Sequence, residues 1–95
     1  MKQLTVFHLT NCPYCRNARK ALAELTEATP EYGAIAVEWV EETQHPERVE
    51  GHDYYYVPTI YAGDRKLYEA HPGESYTECK EQVKAALDAV LGQAG

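Results

Sequence analysis

The chain has 95 residues, 44% of them hydrophobic and 25% charged, and a formal net charge of −6, which is typical of one globular domain over residues 1–95. The acidic balance argues against nucleic-acid binding, which depends mainly on a basic surface, and no apolar run approaches the ~20 residues that cross a bilayer. Residues 1–9 are too short and too polar for a signal peptide, so we expect a cytoplasmic protein without a membrane anchor.

The first half of the chain predicts a strand, a helix and a second strand. Residues 3–9 are rich in apolar and β-branched side chains and predict a buried strand. Pro13 suits the first turn of a helix, where its missing N–H costs nothing, and apolar side chains recur at helical spacing as far as Leu25. That helix should end before Pro30. Residues 33–40 predict the second strand. The side chains expected on one face of it are Ile35, Val37 and Trp39.

The second half predicts a short helix, a hairpin and a final helix. Residues 46–49 predict the short helix, and residues 59–62 and 66–70 predict two strands joined by a Gly-Asp turn. Ser75 and Glu78 form a capping-box pattern that opens the last helix. The apolar stripe expected along this helix is Cys79, Val83, Ala86, Leu87, Val90 and Leu91.

This order of elements predicts an α/β fold. A first pair of parallel strands joined by a helix, followed by a hairpin, gives a four-stranded mixed sheet with helices packed on it. Cys12 then lies in the loop that leaves the first strand.

The spacing Cys12-Pro-Tyr-Cys15 admits three interpretations, of which two are weak. A disulfide staple over so short a loop contributes roughly 2 kcal/mol, and disulfides seldom persist in the cytosol. A structural zinc site usually needs four ligands, and a third cysteine, Cys79, stands alone in the sequence. The scattered histidines, which form no ligand pair, are His8, His45, His52 and His71. We therefore expect no metal site.

The third interpretation, a redox-active thiol pair, is favoured by position. Cys12 is expected where the first helix begins, and the free N–H groups and dipole of a helix N-terminus favour an anion. Arg16 lies one turn further on and adds positive charge beside the sulfur. Cys15 lies inside the helix, faces the core and should stay protonated until it reacts. We expect Cys79 to be buried and inert.

Three sequence features together resemble a dithiol glutaredoxin of the thioredoxin superfamily. They are Cys-Pro-Tyr-Cys near the N-terminus, Val-Pro-Thr-Ile-Tyr starting at Val57, and a Gly-containing turn before the last helix. The resemblance implies a thioredoxin fold with Pro58 in the cis form, Cys12 as nucleophile and Cys15 as resolving thiol. It also implies glutathione as a co-substrate lying along Val57-Pro58 near Tyr14. The candidate substrate-binding residues are Pro13, Tyr14, Arg16, Val57, Pro58, Gly73, Glu74 and Ser75.

The function implied by the resemblance is reduction of protein or glutathione mixed disulfides by a monomeric thiol-disulfide oxidoreductase. The γ-glutamyl end of the site departs from the family pattern, because Pro72 replaces one Gly of the usual Gly-Gly pair and Glu74 brings a negative charge. A second hypothesis is therefore a redoxin that a flavoprotein reductase recycles, or that serves one protein partner. A third is a binding module in which two chains hold a [2Fe–2S] cluster through Cys12 and two glutathiones. Four thiolates are the usual requirement, and Cys15 competes with such a cluster.

Three consecutive tyrosines, Tyr54, Tyr55 and Tyr56, precede the Val-Pro pair. We expect two of them to be half-buried against the edge of the sheet. The remaining one is expected to form a wall beside Cys12 and to favour a protein substrate.

Overall fold

Helices and strands follow one another in the predicted order in a computed structural model that describes residues 2–92; Met1 and residues 93–95 of the predicted domain lie outside this range. The elements are β1 (Gln3–His8), α1 (Pro13–Ala28), a short 3₁₀ helix (Pro30–Ala34), β2 (Ala36–Glu41), α2 (Pro46–Val49), β3 (Thr59–Ala62), β4 (Arg65–Glu69) and α3 (Tyr76–Leu91). None of the helices in this described range is both long and apolar enough to cross a membrane.

The four strands found within residues 2–92 form one mixed sheet in the order β2-β1-β3-β4. The central strand β1 pairs in parallel with β2 along its whole length, from Gln3 opposite Ala36 to His8 opposite Glu41. It pairs antiparallel with β3, and β3 pairs antiparallel with β4. A helical crossover between the two parallel strands and a hairpin at the other side are what the element order predicts.

Alternate side chains of β1 enter two different hydrophobic clusters. Leu4 and Val6 belong to the larger cluster, which contains buried side chains of α1 and α3. Phe7, adjacent to Val6 and therefore on the opposite face of the sheet, forms the smaller cluster with Val40 and Tyr61. All three β1 side chains are completely buried, and each contributes about 1.5–3 kcal/mol through its removal from water.

Three strands differ in their bounds from the prediction: β1 ends at His8 rather than at residue 9, β2 spans Ala36–Glu41 rather than 33–40, and β4 spans Arg65–Glu69 rather than 66–70. Gly33 and Ala34 belong to the 3₁₀ helix rather than to β2, and Tyr32 in this helix is buried and donates a hydrogen bond from its hydroxyl to Asp88, at 2.5 Å. This contact with α3 delays the start of β2, a long-range effect that local propensity does not contain. Strand β4 begins one residue early, at Arg65, because the two-residue turn places Arg65 opposite Ala62.

Both long helices begin where predicted, but the buried face of α1 is shifted. Its buried residues include Ala21, whereas Leu22 is only partly buried. The capping box of α3 is confirmed, and the predicted apolar stripe is buried from Cys79 to Val90. The helices therefore cover one face of the sheet and fix the direction in which the loop between β1 and α1 runs.

Candidate active site

Cys12 is the N-cap residue of α1, as its position after β1 predicts. Its backbone is extended (φ −91°, ψ 121°), and its Sγ accepts a hydrogen bond from the Cys15 N–H at 3.3 Å. Its carbonyl oxygen accepts the Arg16 N–H at 3.0 Å. The preceding residue, Asn11, has φ 64° and turns the chain into the helix, a conformation that Asn tolerates better than most residues. A sulfur thus stands where helices usually carry a hydroxyl or carboxylate oxygen.

The Cys12 sulfur lies at the positive end of α1, with a backbone donor directed at it. The backbone N–H of Cys15 points at the Sγ, and a hydrogen bond to an anionic acceptor is about twice as strong as one to a neutral acceptor. The partial positive charge of the helix N-terminus acts in the same direction. Pro13 at the first helical position has no N–H of its own, so it leaves the Cys15 N–H as the donor.

Val57 and Pro58 lie beside Cys12, although they are 45 positions further along the chain. The Sγ of Cys12 is 3.9 Å from the Val57 carbonyl oxygen. The Val57–Pro58 peptide bond is cis, as the resemblance implies. Pro58 is fully buried, whereas Val57 is only partly buried. The structure therefore joins the two sequence motifs at one place.

Cys15 differs sharply from Cys12 in its surroundings. It is 3% exposed, whereas Cys12 is partly exposed. Burial, with the hydrogen bond between the Cys15 thiol and the Cys12 sulfur as the next cause, raises the pKa of Cys15 to about 12, although the Leu9 backbone and the Arg19 guanidinium act in the opposite direction. One sulfur is therefore reachable by a substrate, and its neighbour keeps its proton in the interior.

A cavity of about 180 Å³ opens beside the two cysteines. Its chemically active lining residues are His8, Asn11, Cys12, Cys15, Arg16 and Arg19. The pKa of His8 is lowered by burial and by the charge of Arg19. His8 was not predicted as a site residue, because a lone histidine at the end of a strand gives no local signal.

Tyr14 connects the active-site loop to the turn before α3. Its hydroxyl accepts a hydrogen bond from the Gly73 N–H at 2.8 Å. Gly73 has φ 84°, a value that favours glycine. Gly73 is therefore in contact with the active-site loop through Tyr14, and its N–H donor is already occupied by this partner within the chain.

Ser75 is also engaged within the protein. Its hydroxyl accepts the Glu78 N–H at 3.1 Å, and the Glu78 carboxylate accepts the Ser75 N–H at 3.4 Å. The carboxylate of Glu78 therefore lies at the N-terminus of α3. The helix dipole stabilises a negative charge at this position, but the same charge repels an incoming carboxylate.

The prediction that Glu74 presents a negative charge to a bound ligand is wrong. The side chain of Glu74 is only 1% exposed, and its carboxylate accepts a hydrogen bond from the buried Tyr68 hydroxyl at 2.5 Å. Burial, together with this hydrogen bond, raises the pKa of Tyr68. The buried carboxylate of Glu74 therefore links the turn before α3 to Tyr68 of β4. It does not present its charge to a ligand at the surface.

Comparison with known proteins identifies the fold. No protein-family model and no curated protein matches the sequence. Among solved structures, the chain is similar to a mutant thioredoxin from Halobacterium salinarum NRC-1, with a TM-score of 0.59 over 98% of this chain and 77% of that chain. The chain has a thioredoxin fold. Sequence identity to that thioredoxin is 16%, so the similarity shows the fold alone. The glutaredoxin subtype stays a prediction.

The tyrosines before the cis proline of the thioredoxin fold are more exposed than predicted. Tyr54 is partly buried and stacks on Phe7, with ring centroids 5.2 Å apart. Tyr55 is 93% exposed and Tyr56 is 51% exposed. Their backbone N–H groups both donate to one carboxylate oxygen of Glu69, at 2.7 and 2.9 Å. Glu69 thus anchors the backbone of this loop, while the rings of Tyr55 and Tyr56 are exposed to solvent.

The third cysteine of this thioredoxin fold lies apart from the reactive pair. Cys79 is 1% exposed in α3, as predicted, and burial raises its pKa. Within residues 2–92, no group of three or more His, Cys, Asp or Glu side chains is placed to hold a metal ion. The iron–sulfur cluster shared between two chains stays a prediction. His71 is exposed, and its Nε2 lies 3.2 Å from the Glu78 carboxylate.

Proposed function

We propose that this protein is a thiol-disulfide oxidoreductase in which Cys12 is the nucleophile and Cys15 the resolving thiol. The observation that supports this most strongly is the placement of the Cys12 sulfur. It caps α1, accepts the Cys15 N–H and lies against the Val57 carbonyl at the surface. Cys15 is held protonated directly behind it.

The proposed reaction has two exchange steps. The Cys12 thiolate attacks one sulfur of a substrate disulfide; a Cys12–substrate disulfide forms, and the other substrate sulfur leaves as a thiolate that takes a proton from solvent. The Cys15 thiolate then attacks the Cys12 sulfur and expels the second substrate sulfur. The substrate gains two electrons and two protons, and the protein becomes the Cys12–Cys15 disulfide.

Glutathione is the proposed co-substrate in the glutaredoxin-like version of this function. Two glutathione thiols supply the two electrons that reopen the Cys12–Cys15 disulfide and leave as glutathione disulfide. The resemblance in the Cys-Pro-Tyr-Cys motif supports this route, as does exposed Arg16 one turn from the sulfur, where it can attract a carboxylate. In this version, glutathione lies along Val57-Pro58, and the protein works as a cytoplasmic monomer.

A second candidate, favoured by the start of α3, is exchange with a protein dithiol such as a flavoprotein reductase. The Gly73 N–H is bonded to Tyr14, and the Ser75 N–H and hydroxyl are bonded to Glu78. These internal bonds compete with a glutathione carboxylate, and Glu78 repels it. The exposed rings of Tyr55 and Tyr56 suit a protein partner, because tyrosine is enriched at protein interfaces.

The test of the proposed function compares Cys12→Ser with the matched control Cys79→Ser. We expect Cys12→Ser to lose reduction of a mixed disulfide between glutathione and a peptide, and Cys79→Ser to retain it, because Cys79 is buried away from the pair. Activity of Cys12→Ser close to wild type contradicts the assignment. Measuring recycling by glutathione and by a thioredoxin reductase side by side then separates the two candidates.

A further inference from the structure

The resolving step requires a proton acceptor that the two cysteines do not supply. Cys15 is 3% exposed, so its thiol has almost no direct contact with bulk solvent and faces the cavity beside the pair instead. Once Cys12 is bound to a substrate in a disulfide, its sulfur has no charge with which to take a proton. This inference rests on the proposed function and concerns its second step.

His8 shares a cavity with both sulfurs. The cavity of about 180 Å³ is lined by His8 at the end of β1 and by Cys12 and Cys15 at the start of α1. Its volume of about 180 Å³ exceeds the ~30 Å³ that one water molecule occupies in the liquid, so the cavity has room for water between the imidazole and the thiol.

The imidazole of His8 is held in place by an aromatic platform. The His8 ring packs edge-on against Trp39, with ring centroids 5.6 Å apart and an interplanar angle of 81°. The Arg19 guanidinium carbon lies over the same Trp39 ring, 4.1 Å from its centroid. Trp39 therefore positions a neutral base and a fixed cation together at one wall of the cavity.

We propose that His8 accepts the proton of Cys15, across the cavity, when Cys15 attacks the Cys12–substrate disulfide. The Cys15 S–H bond breaks, its proton passes to a ring nitrogen of His8, and the Cys15 thiolate forms the bond to the Cys12 sulfur. The substrate sulfur leaves with the electron pair of the broken S–S bond. The imidazolium then returns its proton to the solvent or to the leaving thiolate.

The charges that face His8 suit this role. Burial, together with the charge of Arg19 on α1, lowers the pKa of His8; the Leu9 backbone and Glu41 of β2 raise it, and the net shift is downward. The Glu41 carboxylate is partly occupied by the Thr43 hydroxyl and the Gln44 N–H. The imidazole is therefore neutral at neutral pH and free to accept. Arg19 also favours the thiolate of Cys15, and Arg16 lines the same cavity.

The experiment uses the reduced full chain and a nitrobenzoate disulfide whose thiolate product is coloured. Attack by Cys12 releases a first coloured thiolate, and attack by Cys15 on the resulting mixed disulfide releases a second. Stopped-flow absorbance separates the two phases. The first phase tests the proposed function, and the second phase tests the role of His8, so the two failures are distinguishable.

His8→Gln is compared with His45→Gln, a control at an exposed histidine near α2. We expect His8→Gln to slow the second phase about 100-fold more than the first at neutral pH, the lower end of what a proton acceptor contributes. The wild-type second phase should level off above the titration of His8, and that of His8→Gln should keep rising with pH. An unchanged second phase and pH profile in His8→Gln overturns the proposal.

A measurement on the wild-type protein keeps the proposal testable even where His8→Gln fails to fold. Trp39 is the single tryptophan of the chain and touches the His8 ring, so its fluorescence should report the protonation of His8. We expect the midpoint of this fluorescence titration to coincide with the inflection in the rate of the second phase. Clearly separated midpoints contradict the proposal.

Discussion

The two long helices begin with opposite kinds of cap. At α1 the capping atom is the Cys12 sulfur, which accepts one N–H and is partly exposed. At α3 the cap is a reciprocal pair, in which Ser75 and Glu78 satisfy each other's N–H groups. Both caps satisfy backbone donors that the helix leaves unpaired, but only the cap of α1 is itself a nucleophile.

Because of this difference, the start of α1 is suited to reactivity and the start of α3 to stability. The cap of α3 contains its own carboxylate, so the helix dipole there is already compensated by the protein. The cap of α1 contributes no carboxylate, and none of the acidic residues occurs in the first turn of that helix. The field at α1 therefore acts on the sulfur, and the field at α3 stabilises the fold.

The largest expected effect comes from removing the second sulfur at α1. In Cys15→Ser, Cys12 still attacks, but no internal thiol resolves the mixed disulfide. We expect turnover with a protein disulfide to fall about 100-fold or more, since a neighbouring group acts at a far higher effective concentration than a dissolved thiol. Mass spectrometry should then show the substrate trapped on Cys12. Full turnover in this variant means that Cys15 has no resolving role.

The pH dependence of protein stability tests the burial of Cys15 near the start of α1, for which the start of α3 has no counterpart. Folding raises the pKa of Cys15 from 9.0 to about 12. Below pH 9 the thiol is protonated in both the folded and the unfolded chain, and between the two values only the unfolded chain loses the proton. The free energy of unfolding should therefore fall as pH rises from 9 towards 12, by at most about 4 kcal/mol for three pKa units.

Other groups also titrate in that range, so the comparison is made against Cys15→Ser under reducing conditions. The difference in urea-unfolding free energy between the wild type and this variant should change steadily as pH rises above 9. A difference that is independent of pH means that burial does not hold the proton on Cys15.

The smallest effect is expected at the cap of α3. Ser75→Ala removes the acceptor of the Glu78 N–H and should cost about 1 kcal/mol of stability, the usual value of an N-cap. With glutathione as the proposed co-substrate, its KM should not change, because the Ser75 hydroxyl is engaged within the protein. Thr77→Ala, in the same turn and exposed, is the control. A raised KM in Ser75→Ala assigns the hydroxyl to ligand binding instead.

The sequence predicted the starts of the helices and little of what depends on side-chain contacts between different elements. Pro13 and the spacing of apolar residues predicted the start of α1. Ser75 and Glu78 predicted the start of α3, because a capping box consists of residues only three positions apart in the sequence. The burial of Glu74 depends on Tyr68, on the strand before it. The His8–Trp39 contact depends on the parallel register of β1 and β2. Neither contact leaves a pattern within the sequence near the residue concerned.

The tyrosine loop illustrates the same limit. Three consecutive tyrosines gave no reason to separate their roles, and the prediction treated two of them as half-buried. Tyr54 contacts Phe7 of the central strand, whereas Glu69 of β4 holds the backbone of Tyr55 and Tyr56 and leaves their rings outside. Contacts with both an earlier strand, β1, and a later one, β4, therefore distinguish Tyr54 from its two neighbours.

Peptide-resolved alkylation of the reduced protein tests the central claim most directly. Exposed to a limiting amount of iodoacetamide at neutral pH, Cys12 should be modified first and fast, while Cys15 and Cys79, at 3% and 1% exposure, remain unmodified in the folded protein. Equal labelling of all three sulfurs, or faster labelling of Cys15 than of Cys12, contradicts the account.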